Sequence, residues 1–214
     1  MIYMEPMDLG WEPLVQSWLE TKLPHFLTSE QKHLVKLLCE WLLPPCLDFI
    51  QQRCRPVVQS SQMHLTSALL KLYQCLLAEI SSVDSAVERE EACVETLEEQ
   101  EKNFQTSKQK QQEETSSMIV AGAFFSVVWS LGGLLDASSK QRFIEFFKSL
   151  CDQDSMQPRP RELRVPRALQ MPKRDSVFHY VFLRRNVPSW CLWRELLAPA
   201  SLEPCMKIGE QGPW

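Results

Sequence analysis

The chain has 214 residues, of which 44% are hydrophobic and 23% charged, and its formal net charge is -4. These values are close to globular averages, so they exclude a wholly disordered or collagen-like chain and give no general attraction for nucleic acid. Six glycines against fourteen prolines also argue against a phosphate-binding loop, which needs glycine where the backbone approaches phosphate.

The N-terminal stretch MIYMEPMDLG has early acidic residues and no apolar core, so it does not read as a secretory signal. A short strand is predicted at Ile2–Met4. Pro13 favours the first turn of a helix that carries Leu14 and Trp18 on one side.

A strong helical pattern follows over 29–43. Thr28 and Gln31 have the spacing of a capping box, which satisfies free amides at a helix start. One apolar stripe then repeats at i, i+3, i+4, i+7 and i+8, formed by Leu34, Leu37, Leu38, Trp41 and Leu42. Because proline lacks an amide hydrogen, Pro44 and Pro45 are predicted to break the helix, with a second helix opening at Pro45 and reaching Cys54.

A third helix is predicted to start at Ser61, with one apolar face made by Leu65, Leu69, Leu72, Leu76 and Ile80. Residues 84–114 then carry ten acidic and four basic side chains, a net charge of -6. The heptad pattern there is too broken for a coiled coil, so a solvated helix or linker is the interpretation.

Residues 118–135, MIVAGAFFSVVWSLGGLL, contain no charged side chain. A membrane span needs about 17–25 apolar residues, and this run only just reaches that length without a basic flank. A helix buried inside a protein gives the same pattern and is favoured. Gly132 and Gly133 are predicted to form the turn after it.

The next helix is predicted over 138–151, capped by Asp136 or by Ser138 with Gln141, and its stripe is Phe143, Phe147 and Leu150. Residues 155–175 contain four prolines among basic side chains, and residues 155–185 contain eight basic and two acidic side chains. This pattern predicts a solvated basic linker, because proline excludes regular helix. Residues 176–183, SVFHYVFL, are predicted to form a strand, and 199–214 an unstructured tail.

The sequence offers no motif for catalysis or for a metal. The eight cysteines contain no C-x-x-C pair, and the four histidines lie far from any matching cysteine pair, so reduced, buried thiols are expected. No Walker-type loop, G-x-G-x-x-G, G-x-S-x-G or H-E-x-x-H occurs. The expected catalytic, cofactor and metal residues are therefore none.

Large aromatic side chains lie on the apolar stripes, where they fill a core or anchor an interface between domains. The candidate interdomain contacts are Trp11, Trp18, Trp41, Trp129 and Phe147.

Several segments resemble axonemal-type dynein heavy chains. MIYMEPMDLGWEPLVQSWL resembles the end of their second AAA+ module, and WLLPPCLDFIQQRCRPVV, LTSALLKLYQCLLAE and FFSVVWSLGGLLDASSKQRFIEFFKSL are similar to the helical lid that follows. SVFHYVFLRRNVPSWCLW resembles the start of the third module, except that Arg184 and Arg185 replace the usual acidic residues.

The resemblance implies a mainly α fold, a helical AAA+ lid-type bundle with short flanking strand pieces. It implies that residues 1–20 are the end of an AAA+ large domain (a strand plus a helix) and that 21–151 are the helical lid with an acidic insert at 81–116. It further implies a basic Pro-rich linker at 152–175, the start of the next AAA+ module at 176–198 and an unstructured tail at 199–214.

In function, the resemblance implies a partial or truncated heavy chain, a segment of a microtubule-based motor that transmits conformational change in the ciliary axoneme. ATP and Mg would act only in the intact motor, and no phosphoryl-transfer residue can be placed on this chain. Its partners would be the other AAA+ modules, with intermediate chains, light chains and microtubules reached through the full complex, and neither nucleic acid nor membrane.

Two alternatives stay open on the sequence. One is a helical adaptor or structural protein that binds a partner through 84–114. The other is a single-pass membrane protein that uses 118–135.

Overall fold

The computed structural model describes residues 10–91 and 100–152, the positions 159–160, 163, 165, 169–170, 172 and 174, and residues 176–183 and 189–197. In chain order its elements are α1 (Glu12–Thr21), α2 (Ser29–Arg53), α3 (Gln62–Glu91), α4 (Gln100–Leu131), a 3-10 turn (Gly132–Leu134), α5 (Ala137–Cys151), a 3-10 turn (Val177–His179), β1 (Tyr180–Leu183), β2 (Ser189–Leu192) and α6 (Trp193–Leu196). This order confirms the predicted mainly α class with short strand pieces.

Helix α2 begins as predicted and ends differently. The Gln31 amide donates to Thr28 Oγ1 at 3.2 Å, and the Thr28 amide donates to Gln31 Oε1 at 3.0 Å, which completes the capping box. The predicted break at Pro44 and Pro45 is wrong, because α2 continues through both prolines to Arg53. The residues on both sides of them are buried, so packing of the whole stripe outweighs the missing amide bonds.

Helix α3 starts beside Ser61, as predicted, and the Ser61 hydroxyl accepts the His64 amide at 3.3 Å. Its buried face is shifted from the predicted one. Tyr73 and Leu77 are buried at 1% and 0% exposure, whereas Leu72 and Leu76 are only half-buried. The core therefore follows an i, i+4 row through Leu65, Leu69, Tyr73 and Leu77, which Ile80 continues at i+3.

The apolar half of α4 is the centre of the bundle. Helix α4 packs against α2 and α3, and Phe124 contacts Phe147 of α5 edge to face at 5.9 Å. The Tyr73 hydroxyl donates to the Ile119 carbonyl at 3.0 Å inside this contact. Gly122 lies beside it, where an added Cβ would stand 3.4 Å from the Tyr73 ring, an ordinary van der Waals contact.

The turn after α4 leads into α5 and contacts the α2–α3 connection. Gly132 and Gly133 form the predicted turn, and Asp136 caps α5 by accepting the Ser139 amide at 2.6 Å. The predicted alternative cap, Ser138 with Gln141, is not used, because α5 begins at Ala137. Pro56 forms an antiparallel bridge with Leu135, which fixes the α2–α3 connection against this turn.

The C-terminal part differs most from the prediction. The predicted strand over 176–183 is a 3-10 turn followed by β1, and β1 pairs antiparallel with β2 in the register Tyr180 to Leu192. The pairing with β2 was not predicted. The linker is also not simply solvated, because Leu163 and Leu169 are buried at 3% and 1% exposure in the main core.

Other predictions lie outside the described residues. These are the strand at Ile2–Met4, the tail at 199–214, and the acidic stretch between α3 and α4. The rest of the acidic segment is helical and forms the C-terminal end of α3 and the start of α4. The proposed division of the chain into domains stays a prediction.

Candidate functional site

The five predicted contact residues differ in how much of each side chain is exposed. Trp18, Trp41 and Phe147 are 6%, 5% and 0% exposed, and Trp11 is half-buried against the core. Trp129 is 38% exposed. Of this set, Trp129 therefore offers the largest free aromatic surface, whereas the three buried side chains serve the bundle's own core.

The buried members hold neighbouring helices together through ring contacts. Trp41 of α2 packs on Phe124 of α4 at 6.3 Å between ring centroids, and Phe147 of α5 meets the same Phe124 edge to face at 5.9 Å. Such pairs stabilise beyond the area that they bury. A movement of α4 therefore has to carry α2 and α5 with it or break these contacts.

Trp18 connects α1 to α3. Its ring stacks on Tyr73 at 6.0 Å, and its Nε1 donates to Gln74 Oε1 at 3.3 Å. The hydrogen bond satisfies the polar end of a large apolar side chain. Helix α1 is thereby fixed to the bundle, although it is only ten residues long.

A second aromatic cluster lies at the surface, where α4 meets the C-terminal strands. We call it the aromatic junction, and it consists of Phe125, Trp129, Phe178 and Trp193. Trp129 contacts Phe178 edge to face at 5.5 Å, and Phe125 lies 5.9 Å from Trp129 and 6.5 Å from Trp193. Trp193 is 39% exposed.

The junction brings together one predicted residue and three that were not singled out as contacts. Phe125 and Trp129 lie one helical turn apart on α4, so their i, i+4 spacing was a usable signal. Phe178 and Trp193 reach the junction only because the 3-10 turn and the β1–β2 hairpin fold back onto α4. No local sequence pattern encodes that return.

Lys140 of α5 contacts the junction, and Asp136 caps the same helix. The Lys140 ammonium lies 5.7 Å from the centroid of the Phe178 ring, a distance suited to a cation–π contact. Hydrogen bonds from Ser139, first from its side chain and then from its backbone, lower the pKa of Asp136 below the ordinary value of 3.8. The Asp136 carboxylate is thus held in its charged form at the start of α5.

The buried cysteine thiols have low reactivity because burial keeps them protonated. Burial, with a smaller contribution from Glu40, raises the pKa of Cys39 to about 12, and burial also raises the pKa values of Cys46 and Cys151 well above the ordinary 9.0. Thiolates are the reactive and metal-binding form, so these groups are protonated at neutral pH. Among the described cysteines, Cys39, Cys46 and Cys151 are buried as predicted, whereas Cys75 is exposed.

Two open grooves lie outside the junction. One of about 770 Å³ runs between α2 and α5 over the stacked pair Phe49 and Phe146, whose ring centroids are 4.1 Å apart. The other, of about 610 Å³, lies beside Gly10 and the start of α3. Within the described ranges, no group of three or more His, Cys, Asp or Glu side chains is arranged to hold a metal ion.

Within the described residues, Gln112–Leu134, the second half of α4 with the turn after it, is long and apolar enough to cross a membrane. In its most apolar window 56% of the residues are buried inside the bundle. Such burial against α2, α3 and α5 is what a core helix shows, and it supports the interpretation favoured from the sequence.

Comparison with known proteins gives a consistent set of matches. Residues 34–195 match the family model described as Dynein heavy chain AAA lid domain. The chain is 35% identical over 199 residues to Dynein axonemal heavy chain 3 of Mus musculus, and the match covers 92% of this chain and 4% of that protein. It is 26% identical over 210 residues to Dynein axonemal heavy chain 12 of Rattus norvegicus, covering 95% of this chain and 6% of that protein.

The chain therefore spans a small part of the length of these relatives. No solved structure matches it.

Proposed function

Because the chain belongs to the dynein heavy chain AAA lid domain family, with axonemal heavy chains among its relatives, we propose that it is an interdomain segment of a microtubule-based motor. In this role it passes nucleotide-driven movement from one AAA+ module to the next within the ciliary axoneme. The family membership confirms the resemblance found in the sequence. The mechanical role is our proposal.

The observation that carries the proposal is the contact between Trp129 and Phe178. It joins the central helix of the lid to the segment that leads into β1, at 5.5 Å between ring centroids. Packed aromatic contacts change by discrete shifts and do not stretch continuously, so they can transmit a rigid-body rotation. The hairpin would then turn with α4.

The proposal assigns the chemistry to other parts of the intact motor. ATP and Mg would bind to modules elsewhere in the heavy chain, and this segment would act on neither. Its direct partners would be the adjoining AAA+ modules. Intermediate chains, light chains and microtubules would be reached only through the complete assembly. The adaptor alternative through 84–114 is not favoured by the family match.

The coupling role can be tested in a full-length axonemal heavy chain in which this chain replaces the matching segment. Trp129→Ala should leave ATP binding intact and reduce the microtubule stimulation of ATP hydrolysis. Phe26→Ala is the matched control, since Phe26 lies in the α1–α2 connection with a similar exposure of 42%. Equal stimulation in the Trp129→Ala, Phe26→Ala and unmodified motors would refute the coupling role.

The assignment of nucleotide chemistry elsewhere has its own test. Isothermal titration of the purified chain with ATP and Mg should show no binding at micromolar concentrations. Saturable micromolar binding, or ATP turnover above the buffer rate, would contradict this part of the proposal and leave the family membership unaffected.

A further inference from the structure

The segment after α5 carries an inward-directed contact, in contrast to the solvated basic linker that the composition predicted. Arg159 is half-buried, and its guanidinium carbon lies 5.6 Å from the centroid of the Trp41 ring. Its Nη2 donates to the carbonyl of Cys151, the last residue of α5. A cation is favourable there because the final carbonyls of a helix lack donors within the helix.

The chain beyond Arg159 continues this attachment toward the strands. The Leu163 amide donates to the Pro160 carbonyl at 2.9 Å, and Leu163 and Leu169 are buried in the main core. The Leu169 carbonyl then accepts a hydrogen bond from Trp190 Nε1 of β2 at 3.2 Å. The described residues of this segment therefore contact the α2–α5 region at Arg159 and the hairpin at Leu169.

The attachment at Arg159 is closely balanced. The cation–π contact and the charge-assisted hydrogen bond stabilise it. Against them, Arg159 Nε and Trp41 Nε1 are both buried without a hydrogen-bond partner. Both groups are donors and cannot satisfy each other, so each one reduces the net stabilisation.

We propose that Arg159 is a latch: closed over Trp41 and the end of α5, it positions the β1–β2 hairpin on the bundle, and it opens reversibly without global unfolding. The opening exposes the two unpaired donors to water and weakens the support that this segment gives to Trp190 through the Leu169 carbonyl. This inference concerns how the hairpin is held, and it stands whether or not the chain acts in a motor.

The test is amide hydrogen exchange, followed by mass spectrometry, on the full chain and its Arg159→Ala variant. Loss of the latch should speed exchange of the hairpin amides by about fivefold, the effect of losing one cation–π contact, and leave the α4 amides unchanged. Arg174→Ala is the matched control, because it removes the same charge from an exposed position in the same segment. Arg159→Lys should give an intermediate rate, since it keeps the charge and loses the planar guanidinium.

Trp41→Phe weakens the same contact from the other side and should also speed hairpin exchange. The latch is refuted if Arg159→Ala exchanges like the unmodified chain, or if Arg174→Ala has the same effect as Arg159→Ala. It is equally refuted if Arg159→Ala speeds exchange in α4 as much as in the hairpin, since that result indicates general destabilisation.

Discussion

Replacing Gly132 with alanine should destabilise the protein, because two aromatic rings occupy the space that a Cβ would need. An added Cβ would lie 2.8 Å from Phe178 Cζ and 3.0 Å from Phe143 Cδ1 and Cε1. Phe143 is fully buried, and Phe178 is held against Trp129. Neither ring can therefore move away without disturbing the core or the aromatic junction.

The expected magnitude follows from two opposing effects. Overpacking a well-filled site costs about 1–3 kcal/mol. Replacing glycine by alanine also restricts the unfolded chain, which stabilises by about 0.4–1 kcal/mol where the backbone conformation is ordinary. The net destabilisation for Gly132→Ala is about 1–2 kcal/mol, or a fall of about 2–8 °C in Tm for a chain of this size.

Gly133 provides a control of the same chemistry in the same turn. No atom lies within 4 Å of the Cβ that alanine would add there. Gly133→Ala should therefore leave the free energy of unfolding unchanged or raise it slightly. Urea denaturation followed by circular dichroism measures both variants, and the reasoning fails if Gly132→Ala is as stable as Gly133→Ala.

Three further variants test other parts of the structure by urea denaturation. Pro44→Ala should stabilise the protein by about 2 kcal/mol, because it restores an amide donor to the Glu40 carbonyl inside α2; unchanged stability would contradict the interpretation. Tyr73→Phe should cost about 1 kcal/mol by removing the buried hydrogen bond to Ile119, and a neutral effect would show that this bond has no net value. Asp136→Ala should lower the urea midpoint at neutral pH, because it removes the α5 cap. Since the pKa of Asp136 is lowered in the folded state, the difference in midpoint between the variant and the unmodified chain should persist as the pH falls to the ordinary value of 3.8 and shrink only below it. A difference that vanishes well above pH 3.8 would contradict the assignment.

The features that the sequence predicts correctly are encoded locally. The capping box of Thr28 and Gln31 satisfies amides within one helical turn, and the stripe through Phe143, Phe147 and Leu150 follows from helical periodicity. The Asp136 cap is likewise a short-range contact. These signals need no knowledge of what the helices pack against.

The errors arise where distant parts of the chain decide the outcome. The helix through Pro44 persists because the residues around it are buried by other elements. Tyr73 enters the core through its hydrogen bond to α4, a partner that the sequence of α3 does not reveal. The same holds for the aromatic junction, whose Phe178 reaches Trp129 across a long stretch of intervening chain.

The burial of the thiols has a practical consequence for labelling experiments. Cys39, Cys46 and Cys151 are buried and protonated, so a maleimide at neutral pH should react with them slowly. Cys75, by contrast, is exposed on α3. A fluorophore attached at Cys75 would sit on the outside of the bundle and report its orientation without entering the packed interior.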